Sequence, residues 1–321
     1  MIIKFIKIFL ALALVYFILE NKIIDFTVFK KINFFIALQV FIVIILVIFL
    51  GSLKWYILLK IQNSNINFKN TFKAYYFGYS LNYILFGFAG DVFKTLLIIK
   101  DNNNKIGITM SVIIDRLIGF LSMALIIILF LPYILFNMGY FEDISMLLLE
   151  NINIYYMSVF IFTSVFLLFF KKVLNSRRLN IKFIKFLKKY KSTPLILVRR
   201  TVKVFFTYRK SFNKLCLNFF LAFITQILIT LCLFIISFNI FSDNLGFINQ
   251  LISSVIVQLL SVIPISPGNI GISEIAFSEI MYHLNNKIIY KYASIYLIFR
   301  FFNMLISTPS VVLYFLYYRE K

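Results

Sequence analysis

Seven or eight apolar segments, at about 3–19, 34–59, 72–99, 109–131, 154–170, 212–238, 247–284 and 289–318, take up most of this chain. Runs of that length match the hydrocarbon core of a bilayer, where every backbone amide must find its partner inside the protein. With 62% hydrophobic residues, the composition excludes a soluble domain and implies a polytopic, all-α integral membrane protein. The 321 residues are read as one membrane domain, 1–321, with no room for a soluble catalytic domain. The first segment carries Lys4 and Lys7 ahead of its core. It has no convincing small-x-small cleavage site after Ala11 and Ala13, so it reads as a retained helix and not a signal peptide.

Charge fixes the sidedness. The chain has 33 basic and 12 acidic residues, a net +21, but the basic residues flank hydrophobic spans, which excludes a nucleic-acid partner and points to the membrane surface. Between Lys171 and Lys214 there are 15 Lys or Arg and no acid, so the 171–214 loop is expected in the cytoplasm. Pro132 to Asn153 carries Glu142, Asp143 and Glu150 without a base, and Asn239 to Gln250 carries only Asp243. Both face outward. Both termini are then cytoplasmic, and the expected location is the bacterial inner (plasma) membrane. Within the basic loop, Ile181, Ile184 and Leu187 alternate with Lys182, Lys185 and Lys189. This pattern suits an interfacial helix on anionic lipid, or a loop that only sets topology. Cys216 and Cys232 share one apolar segment without paired spacing, and His283 is the only histidine. No disulfide, metal or other cofactor is expected.

Two apolar segments are interrupted. The stretch from Pro264 to Glu274 holds Pro264, Pro267, Gly268 and Gly271, two of five prolines and two of ten glycines. The third segment contains Gly87, Gly90 and Asp91. Proline removes an amide donor and glycine favours irregular backbone. Such breaks at membrane depth persist only where protein buries them or they line a wet cavity. About six full spans plus two re-entrant or broken helical segments satisfy both the charges and the breaks. The order then repeats in two halves, 1–131 and 154–318, with opposite sidedness, the pattern of an inverted-topology repeat. Arg116 follows Asp91 by 25 residues and Arg300 follows Glu274 by 26.

The candidate site residues are the ionisable groups inside or bordering these segments: Asp91, Lys94, Asp115, Arg116, Glu274 and Arg300. A charge at the bilayer centre costs about 2.5–3.5 kcal/mol on insertion scales and is usually paired and functional. The competing reading is that these charges lie at span ends and snorkel to the interface, which weighs most for Asp91 and Lys94. Gly119 lies one turn beyond Asp115, where a glycine lets another backbone approach the charged pair Asp115–Arg116. The planar fork of arginine suits phosphate, so two intramembrane arginines balanced by acids point to an anionic lipid head group.

Three stretches carry a family resemblance. Gly90-Asp91-Val92-Phe93-Lys94 is similar to a Gly-acid-x-x-Arg motif, with Lys94 where arginine is usual. Asp115-Arg116-Leu117-Ile118-Gly119 is similar to an acid-Arg-x-x-Gly/Asp motif. Pro267-Gly268-Asn269-Ile270-Gly271-Ile272-Ser273-Glu274 is similar to a Pro-Gly-Gly-x-Gly-x-x-Glu motif, with Asn269 in place of the second glycine. The chain thus resembles the flippase-like transmembrane region of lysylphosphatidylglycerol synthases and its stand-alone relatives. The synthases add a soluble acyltransferase domain, whereas this sequence ends at Lys321. The resemblance therefore implies lipid translocation or an accessory membrane role and argues against aminoacyl transfer, so the chain is not expected to be an enzyme. The lipid is expected to be an anionic phospholipid or a polyprenyl-phosphate-linked lipid. Two alternatives stay open: a membrane glycosyltransferase using a lipid-linked donor, with Glu142 and Asp143 as metal or base residues, and an ion-coupled small-solute carrier.

Overall fold

The computed structural model describes residues 26–62, 66–84, 88–100, 102, 104–137, 153, 155–159, 204, 207–240, 245–263, 266–285 and 292–318. The first apolar segment, most of the fifth, Gly87, Pro264, the acids Glu142 and Asp143, and most of the basic loop lie outside those residues.

The described residues form helices and turns, with no strand among them. Nine α-helices follow in order: α1 (Phe34–Ile61), α2 (Phe68–Ile84), α3 (Ala89–Ile99), α4 (Lys105–Leu129), α5 (Leu131–Asn137), α6 (Phe212–Ile240), α7 (Phe247–Leu260), α8 (Ile272–Asn285) and α9 (Tyr292–Tyr318). Short 3-10 turns occupy Phe26–Lys31, Tyr208–Ser211 and Pro267–Asn269. Among the described residues, three helices are apolar and long enough to cross a bilayer: α1, α4 and α6, of 28, 25 and 29 residues, against the roughly 20 a span requires. α9 has 27 residues but carries Arg300 and Asn303.

Local sequence sets the helix ends. Asn33 caps α1 by accepting from the Ile36 amide at 2.8 Å, and Asn104 caps α4 by accepting from Gly107 at 3.1 Å. Each satisfies an amide left open at a helix start. α1 and α6 pack along one another, and α8 and α9 close the main core, where Val40, Ile44, Leu233, Ile236, Phe277 and Ile298 are buried. α9 also lies along α2. There Tyr76 donates to the Ile306 carbonyl at 2.5 Å, Tyr79 donates to Asn303, and Ser310 donates to Ser80 at 2.5 Å.

The third and seventh apolar segments are each split into two half-helices, α2 with α3 and α7 with α8. The two breaks are built differently. In the first, Gly90 is the second residue of α3 and packs against Gly78 of α2, and its amide donates to Asn82 Oδ1 at 2.9 Å. A Cβ on Gly90 would collide with the Gly78 carbonyl, and one on Gly78 would lie 2.6 Å from the Gly90 carbonyl oxygen. The glycine that permits close backbone approach is therefore Gly90 with Gly78. Gly119, expected to play that part beside Asp115, meets nothing within 4 Å and faces open space instead. Gly90→Ala is expected to lower stability by about 1–3 kcal/mol through overpacking. Gly119→Ala is expected to be neutral or slightly stabilising, because alanine is the better helix former. Thermal unfolding in detergent compares the two, and equal shifts would remove the Gly78–Gly90 contact as the reason for either glycine.

The second break turns on left-handed backbone. Gly268 and Asn269 have φ of 56° and 57°, and Gly271 has φ of 90°. Asparagine tolerates that region better than other non-glycine residues, which explains how Asn269 can stand where the family motif has glycine. The Asn269 amide donates to the Ser266 carbonyl at 2.9 Å, and its side chain donates to the Ser261 carbonyl at 2.5 Å. Ser266 Oγ donates to the Ile270 carbonyl at 2.8 Å. The two breaks also touch, since a Cβ on Gly268 would lie 2.7 Å from the Tyr83 carbonyl oxygen at the end of α2.

Candidate functional site

Each half-helix after a break starts in the same way. Asp91 is the third residue of α3 and Glu274 is the third residue of α8, so both sit in the first turn. Exposed amides and the helix dipole favour a carboxylate there. Each acid then pairs with an arginine of the next long helix. Arg116 of α4 donates through Nε to Asp91 Oδ2 at 2.6 Å, with Nη2 at 2.5 Å from the same oxygen. Arg300 of α9 reaches Glu274 Oε1 at 2.5 Å. The spacings noted in the sequence thus correspond to two ion pairs, of which Glu274–Arg300 is buried and Asp91–Arg116 is partly exposed on the arginine side.

The two arginines are not equivalent. Arg300 has a side chain only 7% exposed, and both terminal nitrogens are engaged: Nη1 also donates to the Asn269 carbonyl at 3.2 Å and Nη2 donates to the Gly268 carbonyl. Glu274 Oε2 in turn accepts from the Gly271 amide at 2.7 Å. Arg300 and Glu274 together clasp the left-handed turn. Such a clasp holds irregular backbone at a depth where water cannot satisfy it. Arg116, by contrast, has a side chain 38% exposed, and its guanidinium lies 5.5 Å from the centre of the Phe88 ring. It is the open cation of the site.

Asp91 is shared. Its Oδ1 lies 2.8 Å from Lys94 Nζ, with side chains 8% and 5% exposed, so neither residue snorkels. Lys94 Nζ sits 5.0 Å from the ring centres of both Trp55 and Tyr75. An ammonium enclosed by two rings gains cation–π attraction. That setting suits lysine at a position where the related motif carries arginine, because a compact ammonium fits between the rings and the carboxylate. Trp55 is held by donating Nε1 to Ser111 Oγ at 3.0 Å.

Asp115 and Arg116 do not form one pair, as their adjacency had implied. Asp115 faces Lys54 of α1, with Oδ1 at 3.6 Å from Nζ. This is too long for a hydrogen bond, and Oδ1 has no hydrogen-bond partner. Lys54 was not among the residues singled out from the sequence. Its signal in the sequence is its place inside the 34–59 apolar run, weakened because it stands near that run's end.

These groups surround a cavity of about 300 Å³. Asp91, Lys94, Asp115, Arg116 and Arg300 line it, together with Gly268 from the second break. Its wall takes residues near the midpoints of all three apolar spans, such as Val47 of α1, Phe120 of α4 and Gln226 of α6. Gly119 lines the same space, which explains its open surroundings. Gly90, Pro267 and Gly271 shape the breaks and are absent from the lining; Pro264 and Gly87 lie outside the described residues. Among the described residues, four cations (Lys54, Lys94, Arg116, Arg300) meet three carboxylates (Asp91, Asp115, Glu274) in and behind the wall, leaving one positive charge.

Broken helices that bring charged residues to a cavity at mid-span depth define a class of integral membrane proteins built around a central polar site. The chain belongs to the lysylphosphatidylglycerol synthase TM region family, which it matches over residues 4–310. Family membership makes it an integral membrane protein linked to lipid handling. No curated protein and no solved structure gives a significant match.

Proposed function

We propose that the protein translocates an anionic, phosphate-bearing lipid between leaflets, with the head group held in the mid-span cavity and the acyl chains left in the bilayer. The observation that carries this reading is the formal excess of one positive charge around the cavity, where Asp91 is shared between buried Lys94 and the partly exposed guanidinium of Arg116. A fork of N–H donors recognises phosphate oxygens. In a site of low dielectric, one excess positive charge favours a ligand carrying one negative charge. A phosphodiester meets that condition better than a dianionic phosphomonoester or a zwitterion.

Two further features support it. Asp91 and Asp115, the carboxylates of the lining, each face a cation. The half-helix starts at Asp91 and Glu274 follow the same plan, which we read as an inverted repeat whose two breaks alternate access to one site. In this reading the cytoplasmic side is that of the basic loop, where the chain meets anionic lipid.

The test is leaflet exchange in liposomes containing labelled phosphatidylglycerol or labelled phosphatidylcholine. Parent protein is expected to speed exchange of the anionic phosphodiester and to prefer it to the zwitterion. Exchange of neither lipid would reject lipid translocation and leave the solute-carrier and glycosyltransferase readings ahead.

A further inference from the structure

We propose that the seam between α6 and α7 is the route by which the head group passes between the cavity and the far ends of those helices. The inference rests on the lipid reading above and adds the path. Five side-chain hydrogen bonds form a ladder that leads away from the cavity wall. Gln258 donates to Gln226 at 2.9 Å, and both line the cavity. Thr230 and Ser254 follow, their hydroxyls 3.2 Å apart, and then Gln250 donates to Ser237 at 2.8 Å. At the end, Asn249 accepts from Tyr133 of α5 at 2.7 Å and donates to Asn285 of α8 at 2.8 Å. The four-residue spacing of Gln250, Ser254 and Gln258 puts them on one face of α7. Gln226, Thr230 and Ser237 form the matching face of α6.

Hydrogen bonds across helices are also used as glue within membranes, and each contributes little there. Two observations point beyond glue. The ladder is continuous from the cavity to the end where α6 stops, α7 begins and α8 stops. Fully buried Gln250 also leaves its Oε1 without a partner, where a purely structural contact would have satisfied it. The chemistry suits passage. Amide and hydroxyl donors can replace the water around a phosphate, yet with no formal charge they form no deep trap of the kind the cavity arginine provides. In the present arrangement the rungs are closed on one another, so the path opens only when α6 and α7 part. By the loop charges, this end faces outward.

Solvent access tests the seam without reference to any substrate. In a Cys216→Ala, Cys232→Ala background in proteoliposomes, a membrane-impermeant thiol reagent is supplied on both sides. Ser254→Cys, on the ladder, is compared with Val255→Cys, its fully buried apolar neighbour. Ser254→Cys is expected to react about tenfold faster, because only the seam opens to water. Equal protection of the two overturns the route. The substrate is tested by a Thr230→Cys, Ser254→Cys pair, whose side chains start within reach of a disulfide. Complete cross-linking is expected to stop exchange of labelled phosphatidylglycerol and reduction to restore it, whereas undiminished exchange by fully cross-linked protein overturns the proposal. If Ser254→Cys reacts but the parent exchanges no labelled lipid, the lipid reading fails and with it the head-group route, while an opening seam is retained.

Discussion

Glu274→Ala is expected to unfold in detergent far more readily than Glu279→Ala. Glu274 is almost fully buried and bonds to Arg300 and to the Gly271 amide; Glu279, five residues on, is exposed. Removing Glu274 strands a guanidinium 7% exposed and leaves an amide unpaired beside left-handed backbone. Breaking a buried pair from one side costs about 3–5 kcal/mol, whereas an exposed acid contributes about 0–1 kcal/mol. Glu274→Gln should fall between them, since its amide oxygen still accepts a hydrogen bond but no longer balances the charge. Equal, small shifts in midpoint for Glu274→Ala and Glu279→Ala would show that the turn does not depend on this clasp.

Arg300→Lys and Arg116→Lys are expected to fail in different ways, although both keep their charge. Arg300 uses two diverging nitrogens to reach Gly268, Asn269 and Glu274. A single ammonium cannot span those acceptors. Loss of stability is expected first, by about 1–3 kcal/mol for each carbonyl left unpaired, and loss of transport follows from it. Arg116→Lys should fold nearly as well as the parent, because Asp91 keeps Lys94 at 2.8 Å. Its exchange of labelled phosphatidylglycerol should fall about tenfold, the rate equivalent of one lost charge-assisted hydrogen bond, and Arg116→Gln should lose more. Thermal unfolding and leaflet exchange, measured on the same preparations, separate the two roles. A stable but inactive Arg300→Lys beside a fully active Arg116→Gln would move the head-group contact to Arg300.

The sequence alone made the broken segments legible, and for a physical reason. Proline, clustered glycine and an acid are costly within apolar helices, so their presence in 72–99 and 247–284 marks two interruptions. The structure places helix ends at Ile84 and Leu260 in those two segments. The similar spacings of Asp91 to Arg116 and of Glu274 to Arg300 were legible as an echo between the halves; that each spacing joins an ion pair came from the structure. What composition could not reveal was which cation stays open. Arg116 and Arg300 look alike as letters in apolar runs and both line the cavity, yet one is partly exposed while the other is 7% exposed and bonded to two carbonyl oxygens and a carboxylate.

Uncharged polar residues were harder to read. Gln226, Gln250 and Gln258 stand in apolar runs without the insertion penalty of a charge, so nothing in their letters separates a cavity wall from a lipid-facing surface. Gly78 likewise carries no mark of its partner Gly90, since their contact depends on how α2 folds back against α3. Gly119 shows the converse: its spacing from Asp115 suggests a packing glycine, but the space beyond it is open and belongs to the cavity.

The sequence by itself determined the solvent this protein folds in, its helical class, its two breaks and the acids and arginines beside them. Each follows from the energy of placing a residue type in hydrocarbon, which is a local property of the chain. Only the tertiary structure decided that Asp115 faces Lys54 rather than Arg116, that Arg300 is consumed in holding a turn, and that Arg116 remains open to the cavity. Those outcomes depend on which helices meet and at what depth. A charge in a low-dielectric interior is defined by its neighbours in space, and adjacency along the chain does not fix them.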